Sequence, residues 1–142
     1  MEAMAALIIA IAVEVGVPSN FALAIALEEN WSLNPNAVSK PNRDGSVDLG
    51  LMQLNSYYFG HVDWRCPDTN ARTGVGLLRE LMSLAYLHTY WGVAVSYNAG
   101  SRWAARGQDP PPTSVVYANR VMDKWAELEG VDILNPTLRR QR

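Results

Sequence analysis

An uninterrupted run of apolar residues spans Phe21–Leu27 and leads directly into two acidic residues. A helix built from such a run has no polar face, so the pattern predicts that it lies inside the domain. Glu28 and Glu29 follow directly, and Asn34-Pro35 closes the segment because the residue before a proline disfavours helix. The pattern therefore predicts a buried helix that carries acidic side chains at its C-terminal end.

The remaining apolar and polar positions predict further helices and little else. Polar residues from Lys40 to Ser46 predict a loop. The expected fold is mainly α, a single domain over residues 1–142 with its core at about 17–128 and a C-terminal tail at 131–142. The first expected helix runs from Glu2 to about Val15 and stops at Gly16, and helical turns are expected again at Gly50–Gln53. A long helix is expected from a cap at Thr69 or Asn70 to about Tyr90, followed by a shorter one over Trp91–Ala99. The last expected helix runs from a cap at Thr113 or Ser114 to about Glu129.

The position of Glu28 and Glu29 predicts an unusual pKa for at least one of them. Negative charge is disfavoured near the last carbonyls of a helix, and burial disfavours it further. Both effects raise the pKa of a carboxyl group, which would allow it to act as a general acid near neutral pH. The alternative is that both glutamates are solvated at a frayed helix end.

Composition narrows the classes of function. A net charge of −2 gives the protein no overall positive potential that would attract nucleic acid, so no nucleic-acid partner is expected. A single cysteine, Cys66, and two histidines, His61 and His88, predict no metal site of the usual kind. The apolar run Ala3–Val13 lacks a basic start and is too short to cross a bilayer, so it predicts a packed helix with no evident signal peptide and no transmembrane segment.

Four motifs, in order, resemble the lytic transglycosylase family. The resemblance covers roughly residues 17–128 and is closest to the small specialised enzymes of secretion systems and phages, which share a fold with goose-type lysozyme. It rests on Glu29-Asn30, Asn34–Ser39, Gly45–Ser56 and Ser96–Gly100. The family usually has serine where Asn30 stands here, and the spacing from Glu29 to Asn34 is longer than in common members.

The resemblance implies a lysozyme-like fold and roles for individual residues. Glu29 matches the family's sole catalytic acid/base, with Glu28 as the alternative. The residues expected to bind substrate are Gln53, Met52, Asp48, Tyr97, Asn98 and Tyr117, in a cleft between the catalytic helix and the helices that carry the two tyrosines. Trp31 and Trp103 are further candidates as walls of sugar subsites, since flat aromatic faces pack against pyranose rings.

The implied reaction is non-hydrolytic cleavage of the β-1,4 bond between N-acetylmuramic acid and N-acetylglucosamine in peptidoglycan. The product would carry a 1,6-anhydromuramoyl end, and neither a metal nor another cofactor is needed. A hydrolytic muramidase, with Asp48 or Asp44 as a second carboxylate, and an inactive glycan-binding module remain open. The expected partners are glycan strands and a secretion-system or phage assembly, and the expected location is the bacterial envelope or periplasm, or a phage.

Overall fold

The computed structural model describes residues 1–130, so the expected tail at 131–142 lies outside the described residues. They form two compact units, Met1–Gly76 and a second that begins at Leu77. The elements are, in order, α1 (Glu2–Val15), α2 (Ser19–Glu29), β1 (Asp48–Leu49), β2 (Leu54–Asn55), α3 (Ser56–Phe59), α4 (Pro67–Met82), α5 (Tyr90–Ala99), α6 (Arg102–Ala105) and α7 (Pro112–Glu129). The prediction of a mainly α fold is confirmed, whereas the single-domain organisation stays a prediction.

The first unit is built on the packing of α1 against α2. α1 ends where Gly16 adopts the left-handed conformation at φ 89° and donates its N–H to the carbonyl of Ala12, as the sequence predicts. The six residues from Phe21 to Ala26 are all buried, which confirms that α2 has no solvated face over this run. No helix in residues 1–130 is both long and apolar enough to cross a membrane.

A short hairpin stands where the sequence predicts the start of a helix. β1 pairs with β2 in antiparallel register, Asp48 opposite Asn55, and residues 50–53 form the turn between them. Gly50 has φ 72° and Gln53 has φ 54°, and these values are incompatible with a right-handed helix. The expectation of helical turns at Gly50–Gln53 is therefore wrong, because the apolar pair Leu51-Met52, between two left-handed residues, closes a hairpin instead.

The second unit is built on the packing of α5 against α7. The long helix expected to reach about Tyr90 ends at Met82, and α5 begins at Tyr90. The break is stabilised by Thr89, which has an extended backbone and caps α5. Its hydroxyl oxygen accepts a hydrogen bond from the N–H of Gly92 at 3.0 Å. At the other end of α4, the helix begins at Pro67, so Thr69 and Asn70 lie within it and do not cap it.

The hairpin turn generates the first prediction, which concerns Gly50→Ala. A β-carbon at this position would lie 2.7 Å from the carbonyl oxygen of Trp64 and 3.2 Å from that of Pro35. The left-handed conformation adds about 1–2 kcal/mol for a residue other than glycine. We expect the free energy of unfolding, measured by urea denaturation, to fall by at least about 2 kcal/mol.

Gly76→Ala is the matched control for this substitution. Gly76 lies inside α4, and a β-carbon there meets no atom within 4 Å. Alanine is favoured over glycine in a helix interior by about 1 kcal/mol, so this variant should be slightly more stable than the parent. Equal stability of the parent and Gly50→Ala would contradict the assigned turn geometry.

Candidate active site

The end of α2 carries the two candidate acids. Glu28 and Glu29 are the last two residues of the helix, and both are half-buried. Asn30 follows as the C-terminal capping residue, with its N–H donated to the carbonyl of Ala26 at 2.8 Å. The helix therefore remains hydrogen-bonded up to its last residue, and the frayed end considered from the sequence is not observed.

The buried side chain of Asn30 ties the end of α2 to the hairpin turn. Its Nδ2 donates to the carbonyl of Asn34 at 2.9 Å and lies 3.4 Å from the carbonyls of both Gly50 and Leu51. Its Oδ1 accepts from the N–H of Asn34 at 3.3 Å and from the hydroxyl of Ser32 at 3.2 Å. One amide therefore bonds both to the loop that follows α2 and to the turn of the hairpin.

A second buried amide, Asn70 of α4, holds the same turn. Its Oδ1 accepts from the N–H of Met52 at 2.8 Å, and its Nδ2 donates to the carbonyl of Leu49 at 2.9 Å and to that of Trp64 at 3.0 Å. Both ends of the amide are satisfied in a fully buried position. Sequence reasoning assigned Asn70 to a helix cap and missed this role; its only signal was an asparagine, a weak helix former, inside the apolar pattern of α4.

Gln53 and Met52 occupy opposite environments in the turn. Gln53 is half-buried in the left-handed conformation, and its Nε2 donates to the carbonyl of Gly50 at 3.0 Å and lies 3.4 Å from that of Ala37. Such a conformation costs about 1–3 kcal/mol and is concentrated at functional sites. The side chain of Met52 is fully buried and packs directly against Gly74. A β-carbon at position 74 would lie only 2.6 Å from the Met52 sulfur. Its role in substrate binding stays a prediction.

The loop before β1 and the hairpin share a hydrogen-bond network centred on the buried hydroxyl of Ser46. This hydroxyl donates to Asp44 at 2.6 Å and accepts from Asn42 at 3.1 Å and from Asn55 at 3.0 Å. Asn55 also donates to the carboxylate of Asp48 at 3.3 Å. Hydrogen bonds from the hydroxyl and the N–H of Ser46 lower the pKa of Asp44. Both candidate second carboxylates are thus bonded within their own loop and hairpin.

The candidate residues of the second unit are joined by a hydrogen bond between α5 and α7. The Oδ1 of Asn98 accepts from the hydroxyl of buried Ser114 at 2.7 Å. Ser114 therefore bonds to the neighbouring helix, and α7 has no side-chain cap. Tyr117 lies three residues further on the same face of α7 and is also buried, and Tyr97 is half-buried next to Asn98. Sequence reasoning missed Ser114 as the residue that orients Asn98.

Within each unit the structure brings predicted residues together. In the first, the hairpin that contains Asp48, Met52 and Gln53 is bonded through Asn30 to the end of the helix that carries Glu29. In the second, the bond between Ser114 and Asn98 joins the helices that carry Tyr117 and Tyr97. Residues 1–130 hold no group of three or more histidine, cysteine, aspartate or glutamate side chains placed to bind a metal ion.

The contacts of Asn70 generate the second prediction, which concerns Asn70→Ala. The substitution leaves the N–H of Met52 and the carbonyls of Leu49 and Trp64 without their bonds to this side chain. One buried polar group without a partner costs about 1–3 kcal/mol. We expect the free energy of unfolding in urea to fall by about 2–4 kcal/mol. The exposed control Asn36→Ala should change it by less than about 0.5 kcal/mol, and an equal loss in both variants would refute the assigned role.

Comparison with known proteins agrees with the motifs. Residues 6–109 match the family model described as the Transglycosylase SLT domain, a range that includes Glu29, Gln53 and Asn98 and ends before Tyr117. The Invasion protein IagB of two strains of Salmonella typhimurium is 28% identical over 127 residues, which cover 81% of this chain and 72% of the relative. The Salmonella typhi protein of the same name is 31% identical over 94 residues, 60% of this chain and 56% of the relative. The chain therefore belongs to the lytic transglycosylase SLT family, with its lysozyme-like helical fold.

Proposed function

We propose that this protein is a lytic transglycosylase that cleaves the β-1,4 bond between N-acetylmuramic acid and N-acetylglucosamine in peptidoglycan. Membership of the SLT family supports the class of enzyme and the polymer on which it acts. The finer part of the proposal is the product, which carries a 1,6-anhydromuramoyl end in place of a reducing end.

Glu29 performs both proton transfers in the proposed reaction. Its protonated carboxyl donates to the glycosidic oxygen as the bond from that oxygen to C1 of the muramoyl residue breaks. The carboxylate then accepts the proton of the muramoyl C6 hydroxyl, whose oxygen bonds to C1 and closes the anhydro ring. The nucleophile comes from the substrate and no water is consumed, so a single carboxylate is sufficient.

The observation that carries this proposal is the position of Glu29 at the end of α2, which is bonded to the turn that carries Gln53. Glu29 ends a buried helix whose terminus is bonded to the Gly50–Gln53 turn through Asn30. Asp44 and Asp48 accept hydrogen bonds from Ser46, Asn42 and Asn55 within their own loop and hairpin. A hydrolase of the ordinary type needs two carboxylates that flank the scissile bond. A mechanism with one acid/base needs no change in the bonds that Asp44 and Asp48 already make.

The remaining predicted residues are proposed to bind the sugar. Gln53 has an amide and Asp48 a carboxylate that can bond to hydroxyl groups, while buried Met52 supports the turn beneath them. Asn98 is exposed at the end of α5 and offers an amide, and Tyr97 and Tyr117 combine an apolar ring with a hydroxyl. These chemical types suit the mixed polar and apolar surface of a glycan.

The proposed location is the bacterial envelope, where peptidoglycan lies. A further proposal, which rests on the resemblance of the motifs to the small specialised enzymes, is that the enzyme opens the cell wall for a secretion-system or phage assembly. Family membership by itself supports only the envelope polymer.

The third prediction tests both the product and the acid. Purified peptidoglycan is incubated with the parent protein, with Glu29→Gln and with the matched control Glu28→Gln, and soluble products are identified by mass spectrometry. The parent and Glu28→Gln should release muropeptides with 1,6-anhydro ends. Glu29→Gln should release them at least about 100-fold more slowly, because general acid/base catalysis contributes about 10²–10⁴-fold.

Each other outcome leads to a different assignment. Loss of activity in Glu28→Gln, with activity retained in Glu29→Gln, would make Glu28 the acid/base. Reducing-end products would indicate a hydrolytic muramidase, with Asp48 as the next residue to substitute. Binding of the polymer without any products from the parent protein would indicate a glycan-binding module.

A further inference from the structure

Trp31 differs in its environment from the other tryptophans of the chain. Trp31 is 80% exposed and lies two positions after Glu29. The other four are buried or half-buried. Trp125 lies in the core, Trp91 donates its indole N–H to Asn119 at 3.0 Å, Trp64 lies under the guanidinium of Arg65, and the indole nitrogen of Trp103 is buried. Trp103, the other tryptophan considered from the sequence, is therefore the weaker candidate.

The exposure of Trp31 is built into a tight turn. The N–H of Leu33 donates to the carbonyl of Asn30 at 2.9 Å, and Leu33 adopts the left-handed conformation at φ 50°. Asn30 and Leu33 are both buried, and the side chain of Asn30 also bonds to Ser32 and Asn34. The residues on both sides of Trp31 are thus anchored, and the turn that joins them directs the indole to solvent.

A single exposed apolar side chain is ordinary on a protein surface, so exposure alone decides nothing. A role for Trp31 rests instead on its position close to Glu29. The Cα atoms of Glu29 and Trp31, two positions apart, are separated by at most about 7 Å. The indole is therefore within reach of a sugar next to the bond whose oxygen Glu29 is proposed to protonate. The strained, hydrogen-bonded turn fixes the backbone that carries the indole, which lowers the entropy that binding would otherwise lose.

We propose that Trp31 is a stacking platform for a pyranose ring of the glycan strand, beside the scissile bond. The proposal rests on the proposed function, since it places the ring next to Glu29. The indole offers a large flat apolar face to the C–H face of the ring and an N–H donor to its hydroxyl groups. The occupant is a neutral sugar ring of the same strand that is cleaved, so Trp31 contributes to affinity for the strand and not to proton transfer.

The fourth prediction concerns binding by Trp31→Ala in a Glu29→Gln background, which prevents cleavage. Soluble peptidoglycan glycan strands are titrated into the protein, and Kd is measured by calorimetry. Trp31→Ala should raise Kd about tenfold, which corresponds to about 1.4 kcal/mol. Trp31→Phe keeps an aromatic face and should recover most of the affinity.

Tyr57→Ala is the matched control because Tyr57 is an aromatic residue of the same unit and is 77% exposed. It should bind the strands as the parent does. Equal weakening by Tyr57→Ala and Trp31→Ala would overturn the proposal in favour of general apolar adhesion. An unchanged Kd in Trp31→Ala would overturn it outright and leave the indole as a candidate anchor for a protein partner.

Kinetics with Glu29 intact separate this proposal from the proposed function. Trp31→Ala should raise KM about tenfold and leave kcat nearly unchanged, because it removes binding that is equal in the ground and transition states. Normal release of anhydro products with an unchanged KM would refute the role of Trp31 alone. Absence of products from the parent protein, together with Trp31-dependent binding, would refute the transglycosylase and retain the stacking platform.

Discussion

The first unit depends on one constraint, which is that two buried side-chain amides must satisfy the backbone of a single hairpin turn. The turn at Gly50–Gln53 contains two left-handed residues, so its carbonyl and N–H groups cannot all bond within a regular element. Asn30 approaches it from the end of α2 and Asn70 from α4. Because each amide makes bonds through both its oxygen and its nitrogen, the cost of burying it is offset. The end of α2, which carries Glu29, and the turn that carries Gln53 are held in place by the same bonds.

The two units use this device to different extents. In the second unit, α5 and α7 are linked by two side-chain hydrogen bonds. The hydroxyl of Ser114 donates to the side-chain oxygen of Asn98, and the indole N–H of Trp91 donates to that of Asn119. Asn98 is exposed whereas its partner is buried, so one end of the pair is fixed by packing and the other faces solvent. That arrangement suits a residue proposed to bind sugar: its orientation is set from inside the unit.

What could be predicted from the sequence follows from periodicity and from motif chemistry. The buried run Phe21–Ala26 and the stop at Gly16 were readable because apolar pattern and glycine act locally. The sequence predicts helix in place of the Gly50–Gln53 turn because Leu51 and Met52 fit a buried helix and a buried turn equally well. The roles of Asn70 and Ser114 depend on partners 18 and 16 residues away, and no local rule identifies such partners.

The same geometry bears on the expectation that the family usually has serine at the position of Asn30. A serine hydroxyl has one proton to donate, whereas the amide of Asn30 donates toward Asn34, Gly50 and Leu51 and also accepts from Asn34. These contacts bridge the segment between Glu29 and Asn34 and hold the turn that carries Trp31. A buried amide without hydrogen-bond partners would lower the stability of the fold. Asn30 is instead bonded through both its oxygen and its nitrogen. The bonds of Asn30 therefore favour an intact, specifically built end of α2 over a decayed one.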